Sequence, residues 1–137
     1  MEIEIQITEA RIAEHLPSWS ATGVGAWVEF RGVVRGDEKD KPIAALEYEA
    51  YTPMADREMR CILEAVGRRQ PCLFVRIIHR VGVVPVGEAA IYVGIAAVHR
   101  AEAFALLAEF MDHLKKDVPI WKRRALTVEE LVELEPK

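Results

Sequence analysis

The chain contains 137 residues, of which 51% are hydrophobic and 29% charged, and its formal net charge at pH 7 is −4. This length fits one domain spanning residues 1–137, and the apolar content excludes an intrinsically disordered chain. The negative charge disfavours sequence-independent binding to nucleic acid, and no apolar stretch is long enough to cross a bilayer.

The first part of the chain is predicted to consist mainly of strands. Residues 2–7 alternate polar and apolar side chains, which predicts a half-exposed strand. Thr8 is a candidate N-cap for a short helix that reaches about Leu16 and ends at Pro17. The next three segments are predicted to be a strand from Gly23 to Val34, a polar, mobile loop from Gly36 to Pro42, and a strand from Ile43 to Tyr51.

The second part contains two long predicted helices. Thr52 as N-cap, followed by Pro53 at the first helical position, predicts a helix that runs to about Arg69. Apolar residues at helical spacing predict another helix from Arg100 to Lys116. The segments between these helices are predicted to be a strand at 72–80, a turn at 81–87 and a strand at 88–98.

The order of the elements predicts the fold class. The tail after Trp121 has two interpretations, because Thr127 and Glu130 resemble a helix capping box whereas residues 126–128 could add an edge strand. Helices do not alternate strictly with strands in the order β-α-β-β-α-β-β-α plus tail. A doubly wound parallel sheet is therefore disfavoured, and we predict an α+β domain with a mostly antiparallel sheet covered by helices.

A basic stretch from His113 to Arg124 interrupts this acidic chain. It contains one acid, Asp117, and carries a charge of +4 through five basic residues: Lys115, Lys116, Lys122, Arg123 and Arg124. A cationic island on an anionic body is typical of a site for a small anion rather than of a broad nucleic-acid surface. Lys115 and Lys122 flank a rigid hinge at residues 119–121 and mark the predicted chemical centre.

Lys115 lies at the margin of the apolar face of the second long helix. At about 100° per residue, it lies roughly 60° from the centre of the apolar stripe, and Lys116 lies roughly 160° from it. The stripe consists of Phe104, Leu107, Met111 and Leu114. One interpretation is a lysine that covers apolar surface with its methylene groups. The other is an amine suited to proton transfer or amine chemistry, because an apolar margin disfavours its charged form.

Other basic positions could complete an anion site. His99 and Arg100 stand where a strand ends and a helix begins, and the free N–H groups of a first helical turn favour an anion. They could equally be a cap and a solvated first-turn residue. Arg35 ends a strand just before the polar loop, a common position for arginine. For His79 and Tyr48, packing in strands is the favoured interpretation.

Several other classes of site are disfavoured. Cys61 and Cys72 form no CxxC motif, and neither stands beside a histidine at ligand spacing or beside a base. We therefore expect no zinc site, no disulfide and no cysteine nucleophile. The N-terminus lacks the basic region of a signal peptide. These features favour a cytoplasmic protein with reduced thiols, no metal, and no membrane or nucleic-acid partner.

Short motifs from about residue 23 to 122 occur together in the order and spacing of one known family. They are Gly25-Ala26, Phe30-x-Gly32-x-Val34-Arg35, Leu46-x-Tyr48-Glu49-x-Tyr51, Met54-Ala55, His79-Arg80-x-Gly82, Gly87-Glu88, His99-Arg100-x-x-Ala103-Phe104, Asp112-x-Leu114-Lys115 and Val118-Pro119-Ile120-Trp121-Lys122. In these motifs the chain resembles the large, catalytic subunit of molybdopterin synthase. The resemblance implies an α/β hammerhead-like domain with flanking strands.

The resemblance also implies an activity. Enzymes of this family are sulfurtransferases of molybdenum cofactor biosynthesis, which convert cyclic pyranopterin monophosphate into molybdopterin by installing two sulfurs as a dithiolene. The sulfur arrives as a thiocarboxylate on the C-terminal Gly-Gly of a small ubiquitin-like partner subunit. The large subunits form a homodimer, and with two small subunits the assembly is a heterotetramer. No cofactor is expected, because the partner supplies the sulfur.

By the same resemblance, Lys115 is the main catalytic lysine and Lys122 the second, and which of them acts as acid, base or transient nucleophile stays open. A margin lysine suits the proton transfers that this chemistry requires. The implied substrate-binding positions are His99 and Arg100 at the phosphate or pterin end, and Arg35 with the backbone of Val33 and Val34, which closes the pocket beside the polar loop.

The C-terminal segment departs from the family pattern. The family follows Trp-Lys with a basic residue and a glutamate, whereas here Arg123 is followed by Arg124, and a Glu-rich segment at 126–137 replaces a Gly-x-x-Trp motif. Arg124 in the pocket would disfavour protonation of the lysines or bind phosphate itself, with Arg123 as a second candidate. The alternative function is a non-catalytic paralogue that binds the partner or an anionic pterin without turnover.

Overall fold

A four-stranded sheet, a three-stranded sheet, a two-stranded hairpin and three helices make up residues 1–134, the part of the chain that this computed structural model describes. The strands are β1 Glu2–Thr8, β2 Ala26–Val33, β3 Asp37–Glu38, β4 Lys41–Pro42, β5 Ala45–Ala50, β6 Phe74–Arg80, β7 Gly82–Pro85, β8 Ala89–Ala97 and β9 Ile120–Leu126. The helices are α1 Thr52–Arg69, α2 Arg100–Asp117 and α3 Val128–Leu134. The end of the Glu-rich tail, residues 135–137, lies outside the described residues.

The two larger sheets are antiparallel except at one pair of strands. The four-stranded sheet has the order β1-β6-β8-β2, in which β1 runs parallel to β6 and the other neighbours are antiparallel. In the three-stranded sheet, β5 lies between β7 and β9 and is antiparallel to both. The α+β class and the mostly antiparallel sheet predicted from the sequence are confirmed. No helix of the described chain is long and apolar enough to cross a bilayer.

The main core lies between the four-stranded sheet and helices α1 and α2. α1 faces this core with residues spaced by three or four positions, which are Ala55, Met59, Ile62, Leu63 and Val66. The buried residues of α2 are Ala103, Leu106, Phe110 and Leu114. Phe104, predicted for the buried stripe, is 56% exposed because the buried face is rotated towards Ala103 and Leu106. Leu107 and Met111 are partly buried at the margin of the core.

The irregular segment 9–25 packs on the opposite face of the four-stranded sheet. Ile12 is buried in a small cluster there, and the ring of Trp19 stacks on Phe74 with centroids 5.2 Å apart. The helix predicted from Thr8 to Leu16 is therefore wrong. The Thr8 hydroxyl accepts a hydrogen bond from the N–H of Ala10 at 3.0 Å, which closes a local turn in place of a helix cap.

Three further local predictions are wrong, among them the turn predicted at 81–87, which contains strand β7 at Gly82–Pro85. The segment 36–42, predicted as a loop, contains the β3–β4 hairpin, whose turn residues Lys39 and Asp40 have φ values of 51° and 64°. The segment after Pro119, predicted as a hinge and tail, is strand β9, since its backbone pairs along the whole of β5. Charged side chains on an exposed strand face hid its period from the sequence pattern.

Helix boundaries are predicted more accurately. α1 spans Thr52–Arg69, as expected, although its N-cap is Tyr51 rather than Thr52. The capping box is present at α3: the N–H of Glu130 donates to the Thr127 hydroxyl and the N–H of Thr127 donates to the Glu130 carboxylate, both at 3.2 Å. Of the two interpretations of the tail, the helix is therefore correct for the residues that follow β9.

Candidate active site

A cavity of about 530 Å³ opens where the two larger sheets meet the C-terminal end of α2. Apolar side chains such as Leu46, Ile91 and Leu114 line its interior, while charged side chains lie at its rim. A cleft of this size, with an apolar interior and a few polar groups, is the usual form of a small-molecule site.

Three cations from three separate elements line this cavity. Arg35 follows β2, Lys115 lies in the last turn of α2, and Lys122 is the third residue of β9. The two lysines come together because α2 ends at Asp117 and β9 then returns along β5. The structure thus places the two lysines of the predicted chemical centre, and Arg35, around one cavity.

A carboxylate from the β3–β4 hairpin also reaches this cavity. The two carboxylate oxygens of Glu38 lie 3.2 Å and 3.5 Å from Nζ of Lys122. No site residue was predicted on this segment, since an acid in a polar loop carries no distinguishing signal.

Two titratable aromatic side chains, Tyr48 and His79, also line the cavity. Tyr48 lies opposite Lys122 in the register of β5 and β9, and its ring meets the edge of His79 with centroids 5.5 Å apart. Burial, and secondarily the charge of Glu38, raises the pKa of Tyr48. Packing was the favoured interpretation for both residues, and the structure adds that both line the cavity.

His79 is held as a neutral ring. Its side chain is buried, and Nδ1 donates a hydrogen bond to the carbonyl of Arg80 at 2.8 Å, which leaves the lone pair on Nε2. Burial lowers the pKa of His79 below its ordinary 6.5, and the bond to the Arg80 backbone opposes that shift only in part. The neutral form is therefore the one that the fold accommodates.

A pH dependence of stability follows from the lowered pKa of His79. Above pH 6.5, His79 is neutral in both the folded and the unfolded chain, and it does not reduce stability. As pH falls below 6.5, the unfolded chain binds a proton at His79 more readily than the folded chain, so the free energy of unfolding decreases until pH has fallen through the pKa of the folded chain. We expect His79→Gln to show a smaller loss of urea midpoint than the wild type between pH ~7.5 and ~5.5. The exposed His15→Gln variant serves as the control and should retain the wild-type loss; equal slopes for all three proteins would contradict this expectation.

His99 and Arg100 do not join the cavity of their own chain. Both lie at the N-terminal end of α2, whereas Lys115 lies in its last turn. At 1.5 Å per residue, the helix separates Arg100 from Lys115 by about 22 Å. A single crevice that joins His99 and Arg100 to the two lysines was expected, and it does not form within one chain.

Arg123 and Arg124 are also directed away from the cavity. Nε of Arg124 lies 2.9 Å from the Glu47 carboxylate, and Nη1 of Arg123 lies 3.0 Å from the Glu49 carboxylate. A bulge in the β5–β9 register between Glu47 and Tyr48 accompanies this arrangement. Arg124 thus pairs with β5 outside the cavity, and its effect on the charge of the lysine pocket stays a prediction.

The backbone of Val34 is not available to a ligand. Its N–H donates to the carbonyl of Glu88 at 3.0 Å, and its carbonyl accepts from the N–H of Gly87 at 2.9 Å. Val33 and Val34 both line the cavity, and the side chain of Val33 is half exposed. These residues can therefore contribute shape and apolar contact, whereas anion binding in this region falls to Arg35.

Neither cysteine lines this cavity. Cys61 is exposed on α1, and Cys72 is buried before β6, where desolvation and then the charge of Glu102 raise its pKa to about 11. A thiol in that state is a poor nucleophile at neutral pH. Within residues 1–134, no group of three or more His, Cys, Asp or Glu is placed to hold a metal ion.

The sequence is similar to that of a well-defined family. A family model described as MoaE protein matches residues 4–117. A human protein named molybdopterin synthase catalytic subunit is 39% identical over 99 residues, covering 72% of this chain and 53% of the human protein. A protein of the same name from Pyrococcus abyssi is 40% identical over 112 residues, covering 82% and 76% respectively. The chain spans about half the length of the mammalian relatives it matches.

Solved structures share the fold. The crystal structure of molybdopterin synthase from Staphylococcus aureus superposes with a TM-score of 0.76 at 28% identity, covering 85% of this chain and 87% of that one. A chain from a Helicobacter pylori complex of subunits 1 and 2 of molybdopterin-converting factor superposes with a TM-score of 0.65 at 18% identity, covering 93% and 90%. At that identity the second likeness is one of fold alone.

Proposed function

The chain belongs to the MoaE protein family, and from this membership we propose that it is the catalytic subunit of a molybdopterin synthase. Its substrate is cyclic pyranopterin monophosphate, and its product carries a dithiolene. The observation that carries the proposal is the convergence of Arg35, Lys115 and Lys122 on one cavity with an apolar interior. The phosphate and the thiocarboxylate of the proposed reaction are both anions, and such a cavity is suited to hold them side by side.

The proposed chemistry requires cations and proton transfer but no nucleophile from this chain. The attacking atom is the sulfur of the partner's thiocarboxylate. Each sulfur forms a C–S bond to a side-chain carbon of the pterin while a C–O bond at that carbon breaks; one of these breaks releases the phosphate oxygen as the ring opens, and the other releases water. Water then cleaves the resulting thioester, which leaves the sulfur on the pterin and restores a carboxylate on the partner, once for each of the two sulfurs. Lys115 and Lys122 balance the charge of the sulfur and the phosphate, and an amine there can carry protons to the opening phosphate ring. Arg35 holds the phosphate through paired N–H donors.

We propose that two copies of the chain are needed for a complete site. His99 and Arg100, the remaining substrate-binding candidates, cannot reach Lys115 in the same chain, so a second copy must supply them. The exposed Phe104 lines a groove of about 340 Å³ that also includes Lys115. An apolar groove continuous with the cavity is a suitable contact for a second copy, in the homodimer that the resemblance implied. The small ubiquitin-like subunit then completes a heterotetramer.

Reconstitution with defined components tests the function directly. The full chain is incubated with a small ubiquitin-like protein whose C-terminal Gly-Gly carries a thiocarboxylate, together with cyclic pyranopterin monophosphate. We expect dithiolene product, with two thiocarboxylates converted to carboxylates for each product molecule. Binding of the small protein without turnover would instead support the non-catalytic paralogue. Arg124, one of the two departures from the family pattern that motivate this alternative, pairs with Glu47 outside the cavity.

Cysteine replacement separates sulfur supplied by the partner from sulfur supplied by this chain. We expect the double variant Cys61→Ser, Cys72→Ala to form product at a rate within about twofold of the wild type, because neither thiol lines the cavity and a buried thiol is inert. Alanine at the buried position avoids an unpaired hydroxyl. Single-turnover assays with thiocarboxylated partner provide the measurement, and loss of product from a variant that melts like the wild type would exclude a partner-only source of sulfur.

A further inference from the structure

We infer that Glu38 acts as an internal competitor for the anion site, a hairpin-borne carboxylate that occupies Lys122 and is displaced when a phosphate-bearing ligand enters. The inference deepens the proposed function, on which it rests for the choice of ligand class. It makes Glu38 a determinant of which anions the cavity accepts.

The contact itself is specific. Both oxygens of Glu38 approach the same ammonium group, at 3.2 Å and 3.5 Å, and the Glu38 side chain is 25% exposed. Glu38 is the only carboxylate among the described residues that line the cavity, where the cations are Arg35, Lys115 and Lys122. One of the three cations is thus neutralised by the protein itself, and it becomes available only when Glu38 moves.

The hairpin that carries Glu38 is small enough to move. Each of its strands has two residues, and its turn is formed by Lys39 and Asp40, both in the left-handed region. Apart from Glu38, its residues are exposed, and the hydrogen bond from the N–H of Ile43 to the carbonyl of Gly36 closes its base. An isolated hairpin of this length is not stable by its own contacts. The Glu38–Lys122 pair is a contact that links this hairpin to the cavity.

The strength of this pair suits an exchangeable contact. Lys122 is about half exposed, and ion pairs in such surroundings are weak because water solvates the separated charges. A phosphate group offers three acceptor oxygens and can bind Lys122 together with Arg35 or Lys115, which a single carboxylate on a short hairpin does not do. The field of Glu38 also reaches the floor of the cavity, where it adds to burial in raising the pKa of Tyr48.

Binding of inorganic pyrophosphate to the full chain, measured by titration calorimetry at low salt, tests the inference without substrate or partner. We expect Glu38→Gln to tighten binding by about three- to fivefold, the scale of an exposed ion pair. Asp40→Asn removes the same charge from the exposed turn of the same hairpin and should change affinity by less than about twofold. In a Lys122→Ala background, the effect of Glu38→Gln should disappear.

Three results would overturn the inference: an affinity for Glu38→Gln that is unchanged or weaker, a gain of equal size in Asp40→Asn, or no measurable pyrophosphate binding to Glu38→Gln. None of these results bears on the synthase assignment, which the reconstituted sulfur-transfer reaction tests independently. Conversely, the chain could fail to form dithiolene product while Glu38→Gln still tightens pyrophosphate binding. That result would refute only the proposed reaction and would support the role of Glu38 as a competitor.

Discussion

Replacement of Lys115 by alanine is expected to reduce dithiolene formation by at least about 100-fold, the range in which a positioned proton donor or acceptor contributes to rate. Lys115 lines the cavity from the last turn of α2, and its side chain is exposed rather than part of the core. Its loss should therefore leave the melting temperature within about 2 °C of the wild type. The measurement is product formation with thiocarboxylated partner under single-turnover conditions.

The neighbouring lysine provides a matched control. Lys116 has the same side chain and lies in the same helical turn, but it does not line the cavity. Lys116→Ala removes an identical charge and should retain nearly full activity. Full activity of Lys115→Ala would show that Lys115 is not part of the site. Equal losses of activity in both variants would show that the loss reflects the general charge of the helix end and not the position of Lys115.

Mixing two inactive variants is expected to restore activity. If each site combines Lys115 of one copy with Arg100 of the other, a mixed dimer of Lys115→Ala and Arg100→Ala chains has one intact site and one doubly altered site. Random pairing makes half of the dimers mixed, so recovery of about a quarter of the wild-type activity is expected. Co-expression of two differently tagged chains, followed by assay of the mixture, provides the measurement.

A second mixture controls for nonspecific rescue. Lys115 and Lys122 line the same cavity of one chain, so a mixed dimer of Lys115→Ala and Lys122→Ala contains no intact site. This mixture should stay inactive. The two-copy site would be disproved by activity in this control or by a persistently inactive Lys115→Ala and Arg100→Ala mixture.

The parts of the fold that were predictable from sequence are those set by local rules. The helix at 52–69 was predicted from Thr52 as N-cap and Pro53 at the first helical position, and Pro53 does lie in its first turn. The Thr127–Glu130 box marked the start of α3 in the same way. The helix at 8–16 failed for the opposite reason, since Ile12 is buried, and Leu16 partly buried, by contact with a sheet formed largely by distant parts of the chain.

The residues of the candidate site likewise differ in whether local sequence could predict their proximity. Lys115 and Lys122 are close in sequence, and the turn between α2 and β9 brings them together. Glu38 and His79 enter from strands that are far apart in the chain, and only the assembled sheets place them beside Lys122. The separation of Arg100 from Lys115, in contrast, was already implied by the predicted helix, since fifteen steps along an α-helix span about 22 Å.

The ladder of Arg123 and Arg124 against Glu49 and Glu47 has a consequence for long-range attraction. Each arginine is paired at about 3 Å with a carboxylate, so from outside the pairs act as short dipoles rather than as free positive charges. Beyond a Debye length of about 8 Å their potential is negligible at physiological salt. A polyanion that diffuses past this surface is therefore not drawn to it, whereas a ligand small enough to enter the cavity meets Arg35 and Lys115 at its rim, in addition to the Glu38-paired Lys122.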